Sequence, residues 1–312
     1  MKPPIYTPIS ELSKHISKGK VSPVELTEIF LNRLETIGLG LNAVVTVTRS
    51  LALKQARKAE KEIEEGNYRG SLHGVPWGAK DLLSTMGIPT TWGAEPFRER
   101  IINTDATAVK KLQEAGAILC AKLSMIEFAG GMGYRQPNAS LTGPPRNPWN
   151  PDTWTGGSSS GSGAAVAAGL VPFAIGSETW GSILSPANNC GVAGLRPTYG
   201  RISRHGAMAL CWTLDKLGPL AQTADDCGII LQAISGPDPL DSTSIQKTWK
   251  YNPRPPKRRQ RIAVLLGVAD DANPEVKDNF NKAINTLKGF ASVEEIDLPD
   301  LPYEAITRTI LN

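Results

Sequence analysis

The feature that most constrains the fold is a short, wholly apolar run, Ala117-Ile118-Leu119-Cys120-Ala121, that follows a helix-like segment and a glycine. A strand that is apolar at every position, instead of every second one, must be covered on both faces. The segment before it, Thr107 to Ala115, has helical periodicity and meets Gly116, a residue suited to the left-handed turn that closes a helix. The same order recurs. Ala164 to Ala168 reads as a helix of small residues, Val171 to Ile175 as a buried strand, Ala224 to Ile234 as a helix, and Ile262 to Leu266 as another strand. Asn273-Pro274 opens a helix with Val276, Phe280, Ala283, Ile284 and Leu287 on its inward side, and a strand follows around Val293 to Ile296. Nearer the start, Ser22-Pro23-Val24-Glu25 combines a serine N-cap, a proline at the first helical position and a glutamate that closes a capping box. A further helix spans Leu51 to Glu65. Helices alternating with buried strands predict an α/β fold, a mixed central β-sheet flanked by α-helices on both sides.

Composition permits such a core. The chain has 312 residues, 40% of them hydrophobic and 21% charged, and no long polar spacer divides it, so a single domain over 1–312 is expected. Its formal net charge of +4 owes much to the stretch Lys247 to Arg261, where Lys250, Arg254, Lys257, Arg258, Arg259 and Arg261 stand among prolines. A local run of this kind reads as a solvated connector, and no nucleic-acid partner is assigned to it. Cys120, Cys190, Cys211 and Cys227 form no C-x-x-C pair and read as reduced core residues. His15, His73 and His205 have neither metal-ligand spacing nor the pattern of a Ser-His-Asp triad, so a nucleophile here needs a base other than histidine. Met1 to Ser10 has no apolar leader region and no run is long enough to cross a bilayer, which predicts a cytoplasmic chain without membrane contact. The last segment, Tyr303 through Ile306, Ile310 and Leu311 to Asn312, has a helical apolar stripe with no stop signal. The fold is therefore expected to be C-terminally truncated.

Three segments carry chemistry. Thr155 to Ala165, with Gly156-Gly157-Ser158-Ser159-Ser160-Gly161-Ser162-Gly163 at its centre, lacks the Gly-Lys-Ser/Thr of a phosphate cradle and runs straight into a helix as linkers do not. What remains is either an ordinary tight turn or a loop whose glycines admit a close approach while its hydroxyls face a site. Gly176 to Ile183, reading Gly-Ser-Glu-Thr-Trp-Gly-Ser-Ile, begins where a buried strand ends. It is either a polar strand-to-helix turn or a turn whose consecutive N–H groups converge on one point, as a tetrahedral oxyanion requires. The third is Leu72 to Leu83. Its Lys80 stands in an apolar run and either snorkels to solvent or is desolvated into a base active near neutral pH.

In content, order and spacing the three segments resemble the motifs of the amidase signature family. Gly74-Val75-Pro76 with Lys80-Asp81 matches its Gly-Val-Pro-x-x-x-Lys-Asp element, Gly156 to Ala165 its Gly-Gly-Ser-Ser-Gly-Gly-Ser-Ala loop, and Gly176 to Ile183 its Gly-Ser/Thr-Asp-Thr-Gly-Gly-Ser-Ile turn. Arg146-Asn147-Pro148-Trp149, Cys190 to Arg201 and Asp238 to Thr243 add to the likeness, which is strongest over 70–245. The resemblance implies a Ser-cisSer-Lys triad. Ser182 is the nucleophile, Ser158 the relay following a cis bond from Gly157, and Lys80 the neutral base. It also implies an oxyanion hole of backbone N–H groups from Thr179, Trp180, Gly181 and Ser182, with Ser159 and Glu178 in support. No metal or organic cofactor is called for. The expected partner is a small-molecule amide; the sequence does not fix the oligomeric state, a homodimer being one option. Two other readings follow from the same likeness: the glutaminase-type component of a tRNA-dependent amidotransferase, which delivers ammonia to a partner, and a non-catalytic fragment that keeps the fold. Departures bear on substrate choice. Trp180 stands where glycine is common, Glu178 replaces aspartate, Ser160 and Gly163 replace glycine and alanine, and Leu184 stands where arginine is frequent.

Overall fold

A computed structural model describes residues 4–130, 136–247, 249–254 and 258–311. Part of the basic stretch between Lys247 and Arg261, namely Thr248 and residues 255–257, lies outside the described residues, as do Asn312 and the side chains of Ile310 and Leu311. The chain divides into two compact units, Met1–Tyr251 and Asn252–Asn312.

The first unit runs α1 (Ile9–Ser17), α2 (Pro23–Arg33), β1 (Val44–Val47), α3 (Arg49–Glu64), β2 (Pro76–Lys80), α4 (Thr107–Glu114), β3 (Ile118–Leu123), β4 (Arg146–Asn147), β5 (Asn150–Trp154), α5 (Ser160–Ala167), β6 (Phe173–Glu178), α6 (Leu184–Cys190), β7 (Ala193–Gly194), β8 (Lys216–Ala221) and α7 (Ala224–Ile234). Six strands form one mixed sheet in the order β1-β3-β2-β6-β8-β7, and β4 with β5 makes a separate hairpin. The three central strands β3, β2 and β6 are parallel, while β1, β8 and β7 pair antiparallel with their neighbours.

Every residue of β2, β3, β6 and β8 is buried. Because successive strand side chains point to opposite faces, such strands serve two cores at once. Leu119, Phe173, Ile175 and Leu217 join one cluster with α1, α4 and α7, whereas Ile118, Cys120, Ala174 and Leu220 join another with α3 and α5. The predicted mixed sheet covered by helices on both faces is the architecture found. Ser22 caps α2 as the sequence predicts, its hydroxyl accepting from the N–H groups of Val24 and Glu25, both at 3.1 Å.

The second unit holds β9 (Gln260–Leu265), α8 (Pro274–Lys288), β10 (Ala291–Ile296) and α9 (Tyr303–Leu311), with β9 and β10 parallel. Here one expectation fails. No residue of α8 is fully buried: Phe280, Ile284 and Leu287 are half-buried, and Val276 and Ala283 are exposed. The sheet in this unit has two strands, too narrow a surface to cover a whole helical stripe. Among the described residues no helix is long and apolar enough to cross a membrane.

Candidate active site

The register of the sheet gathers the three motifs. Trp77, Gly78 and Ala79 of β2 lie beside Phe173, Ala174 and Ile175 of β6 in parallel. Lys80, at the C-terminal end of β2, therefore reaches the C-terminal end of β6, the side of a parallel array where α/β proteins bind ligands. Its Nζ lies 2.7 Å from Ser158 Oγ, 3.0 Å from Ser159 Oγ and 2.9 Å from Ser177 Oγ. All four side chains are buried, Lys80, Ser158 and Ser159 completely.

A charged amine would donate in all three contacts, whereas an uncharged amine has two N–H donors and one lone pair. Ser159 Oγ donates to the Ser177 carbonyl at 3.1 Å and so receives a proton from Lys80. Ser177 Oγ can take the second, and the contact with Ser158 Oγ fits either a third N–H donor or a lone pair that accepts the Ser158 hydroxyl. Burial is the largest influence on Lys80 and lowers its pKa to about 7, against the opposing pull of the carboxylates of Asp215 and Glu178.

The serine loop is shaped for close approach. The Gly157–Ser158 peptide bond is cis. Helix α5 begins at Ser160, ahead of the expected Ala164, and packs its glycines against backbone: a Cβ on Gly161 would meet Ala43 O and Ser124 N at 2.5 Å. The loop is joined to the next motif by the Ser159 N–H, which donates to the Ser182 carbonyl at 3.2 Å.

Ser182 is 1% exposed and lies four residues beyond the end of β6. The turn before it is held from behind by its carbonyls, with Thr179 O accepting from Lys216 Nζ at 3.0 Å and Gly181 O from the Ser185 N–H at 2.7 Å. Gly181 has φ +89°, a conformation that favours glycine. Glu178 Oε2 accepts from the N–H groups of Ile183 and Leu184 at 2.8 and 3.0 Å, so this carboxylate anchors the start of α6. Trp180 points outward and is 58% exposed.

Three groups here escape the sequence reading. Ser177 lies inside the recognised turn and touches Lys80 directly. Asp215 accepts from Thr179 Oγ1 and, with Lys216, brackets the Thr179–Ser182 turn. Lys122 forms a buried ion pair at 3.0 Å with Asp81, the motif residue that follows Lys80, and Thr91 Oγ1 also donates to Asp81. The signal for Lys122 was the one that marked Lys80, a cation in an apolar run.

Over residues 25–309 the chain matches the family model described as Amidase. It belongs to the amidase signature family. It is 38% identical over 309 residues to the A component of the glutamyl-tRNA(Gln) amidotransferase of Geobacter metallireducens, an alignment covering 96% of this chain and 62% of that protein. Among solved structures, the peptide amidase of Stenotrophomonas maltophilia superposes with a TM-score of 0.85 at 29% identity, over 97% of this chain and 64% of that one. The A component of the Thermotoga maritima glutamyl-tRNA(Gln) amidotransferase superposes with a TM-score of 0.82 at 30% identity, over 98% and 65%. This amidase-family chain thus spans less than two thirds of the length of these relatives.

Proposed function

We propose that this chain cleaves a carboxamide C–N bond through an acyl-enzyme on Ser182, activated by Ser158 and Lys80. The observation that carries this is the fully buried Lys80, with Nζ 2.7 Å from Ser158 Oγ and a pKa brought to about 7 by desolvation. A lysine in that state accepts a proton near neutral pH, which an ordinary lysine does not.

In this reading neutral Lys80 takes the proton of Ser158 as Ser158 takes that of Ser182, and Ser182 Oγ attacks the amide carbonyl. The backbone N–H groups from Thr179 through Ser182 receive the oxyanion. Collapse of the tetrahedral intermediate breaks the C–N bond, with Ser158 returning a proton to the departing amine. Water then releases the acid and restores the serine. Ser159 and Ser177 orient the amine. The substrate is a small-molecule amide, and no step calls on a metal or organic cofactor.

A fluorophosphonate probe tests the reading. Ser182 is expected to be the labelled residue, with labelling lost in Ser182→Ala and cut to a similar degree in Lys80→Ala and Ser158→Ala, since residues acting as one unit show non-additive losses. Labelling of Ser182 that survives Lys80→Ala sinks the mechanism, and an unreactive folded chain favours a non-catalytic amidase-fold fragment. A second reading draws on the 38% identity to the A component of a glutamyl-tRNA(Gln) amidotransferase. The same triad would then release ammonia from glutamine, and glutaminase activity with co-purifying partner proteins selects it.

A further inference from the structure

One carboxylate ties the nucleophile turn to a neighbouring loop. Asp215 directly precedes β8 and is buried. Its Oδ1 accepts from Thr179 Oγ1, while its Oδ2 accepts from the N–H groups of Leu210 and Cys211 at 2.7 and 3.0 Å. The sheet sets this meeting point: Glu178 of β6 pairs antiparallel with Lys216 of β8, so Thr179 and Asp215 are the next residues on each side. The same loop is held from outside, where Tyr199 Oη and Arg204 Nη1 donate to the Trp212 carbonyl at 2.8 and 2.6 Å.

We propose that Asp215 is a positioning residue for the serine nucleophile, fixing the start of the Thr179-Trp180-Gly181-Ser182 turn against a braced loop. The inference rests on the amidase reading above and adds to it a group outside the triad.

The geometry favours this carboxylate over the other one nearby. Glu178 ends β6 beside this turn, but its Oε2 is committed to the start of α6 and its Oε1 lies 3.6 Å from Arg196 Nε. The amine beside Asp215, Lys216, is directed at the Thr179 carbonyl. The charged and titratable groups about Lys80 and this turn are therefore Asp215, Glu178, Lys216, Arg196 and the thiol of Cys211. Of the two carboxylates, Asp215 is the stronger electrostatic influence holding the Lys80 pKa up against burial.

Two substitutions separate the anchoring contact from the charge. In Asp215→Asn the amide can turn over, its oxygen accepting from Leu210 and Cys211 and its NH2 donating to Thr179 Oγ1, so contacts persist and charge is lost. Thr179→Val keeps the charge and the side-chain shape but removes the anchor. The assay is the rate of fluorophosphonate labelling of Ser182 in the full 312-residue chain, followed from below to above neutral pH. In the wild type the rate is expected to rise with pH as Lys80 loses its proton.

Asp215→Asn is expected to move the midpoint of that rise to lower pH, because removing the anion removes an influence that raises the Lys80 pKa. Thr179→Val is expected to keep the midpoint and lose about tenfold or more in plateau rate, the scale of a small misplacement of a reacting group. A Val variant labelled at the wild-type rate overturns the proposal while leaving the triad intact. A wild type that is never labelled overturns the amidase reading and this inference together. Should the Asn variant fail to fold, the Val variant still decides.

Discussion

Replacing Lys80 with methionine has a consequence for stability that can be worked from its burial. An unfolded lysine titrates near 10.5, whereas the buried Lys80 titrates near 7. Between those values the unfolded chain binds a proton that the folded chain does not, so folding becomes more favourable as pH rises across the window. Below it the folded and unfolded amines are both charged, and the full desolvation cost weighs on the fold. Each pKa unit is worth about 1.4 kcal/mol. Integrating from about pH 7, where half the folded amine is still protonated, to about pH 9 gives a gain of about 2 kcal/mol for wild type that Lys80→Met cannot show. Lys122, also desolvated, is present in both proteins and cancels in the difference. The assay is denaturant unfolding of both proteins at several pH values, taking the difference in unfolding free energy at each. A difference that stays flat from neutral to alkaline pH refutes the reasoning, since it means Lys80 carries the same charge in both states.

Lys122→Met strands the buried Asp81 carboxylate without its cation, and a loss of about 3 to 5 kcal/mol in unfolding free energy is expected, read by the same denaturant assay. Gly161→Ala places a methyl against Ala43 O and Ser124 N. It should lower stability by about 1 to 3 kcal/mol and slow Ser182 labelling, whereas Gly181→Ala meets no neighbour and is strained by its positive φ alone. Of the four free cysteines, Cys120, Cys190 and Cys227 are buried with thiol pKa values pushed up to about 12, and Cys211 is partly exposed. Iodoacetamide followed by peptide mass mapping should therefore modify Cys211 in the native protein and the other three after unfolding.

The α/β alternation was legible because strands buried on both faces have an unmistakable composition. Its errors cluster where polar residues enter the core. Strand β3 continues past the apolar run through Lys122, a charge that reads as a strand end until Asp81 is seen beside it. Strand β6 continues through Ser177 and Glu178, which read as a turn; their hydroxyl and carboxylate are bound by Lys80 and by the start of α6. Helix α5 starts earlier than its alanines suggest because Gly161 and Gly163 lie inside it, where only a hydrogen fits between backbones. The stripe on α8 is periodic yet not buried, since periodicity says which side is apolar and not whether a surface exists to cover it.

The candidate site was legible for a different reason. Lys80, Ser158 and Ser182 each have an ordinary structural alternative when taken singly, and it is the order and spacing of their three motifs, resembling those of the amidase signature family, that single them out. Asp215 and Lys216 have no such setting. One acid before an apolar strand is commonplace, and its contact with Thr179 exists only through the antiparallel register of β6 and β8. Long-range pairing of this kind leaves no local mark in a sequence.

The measurement closest to the central claim is a direct titration of Lys80 by NMR, using lysine labelled with 13C at Cε and the Lys80→Met variant to assign its signal. The expected result is one lysine resonance that changes from charged to neutral with a midpoint near 7. A Lys80 signal that stays in its charged position until the ordinary lysine range near 10.5 contradicts the claim, because such an amine has no lone pair to offer Ser158 at neutral pH.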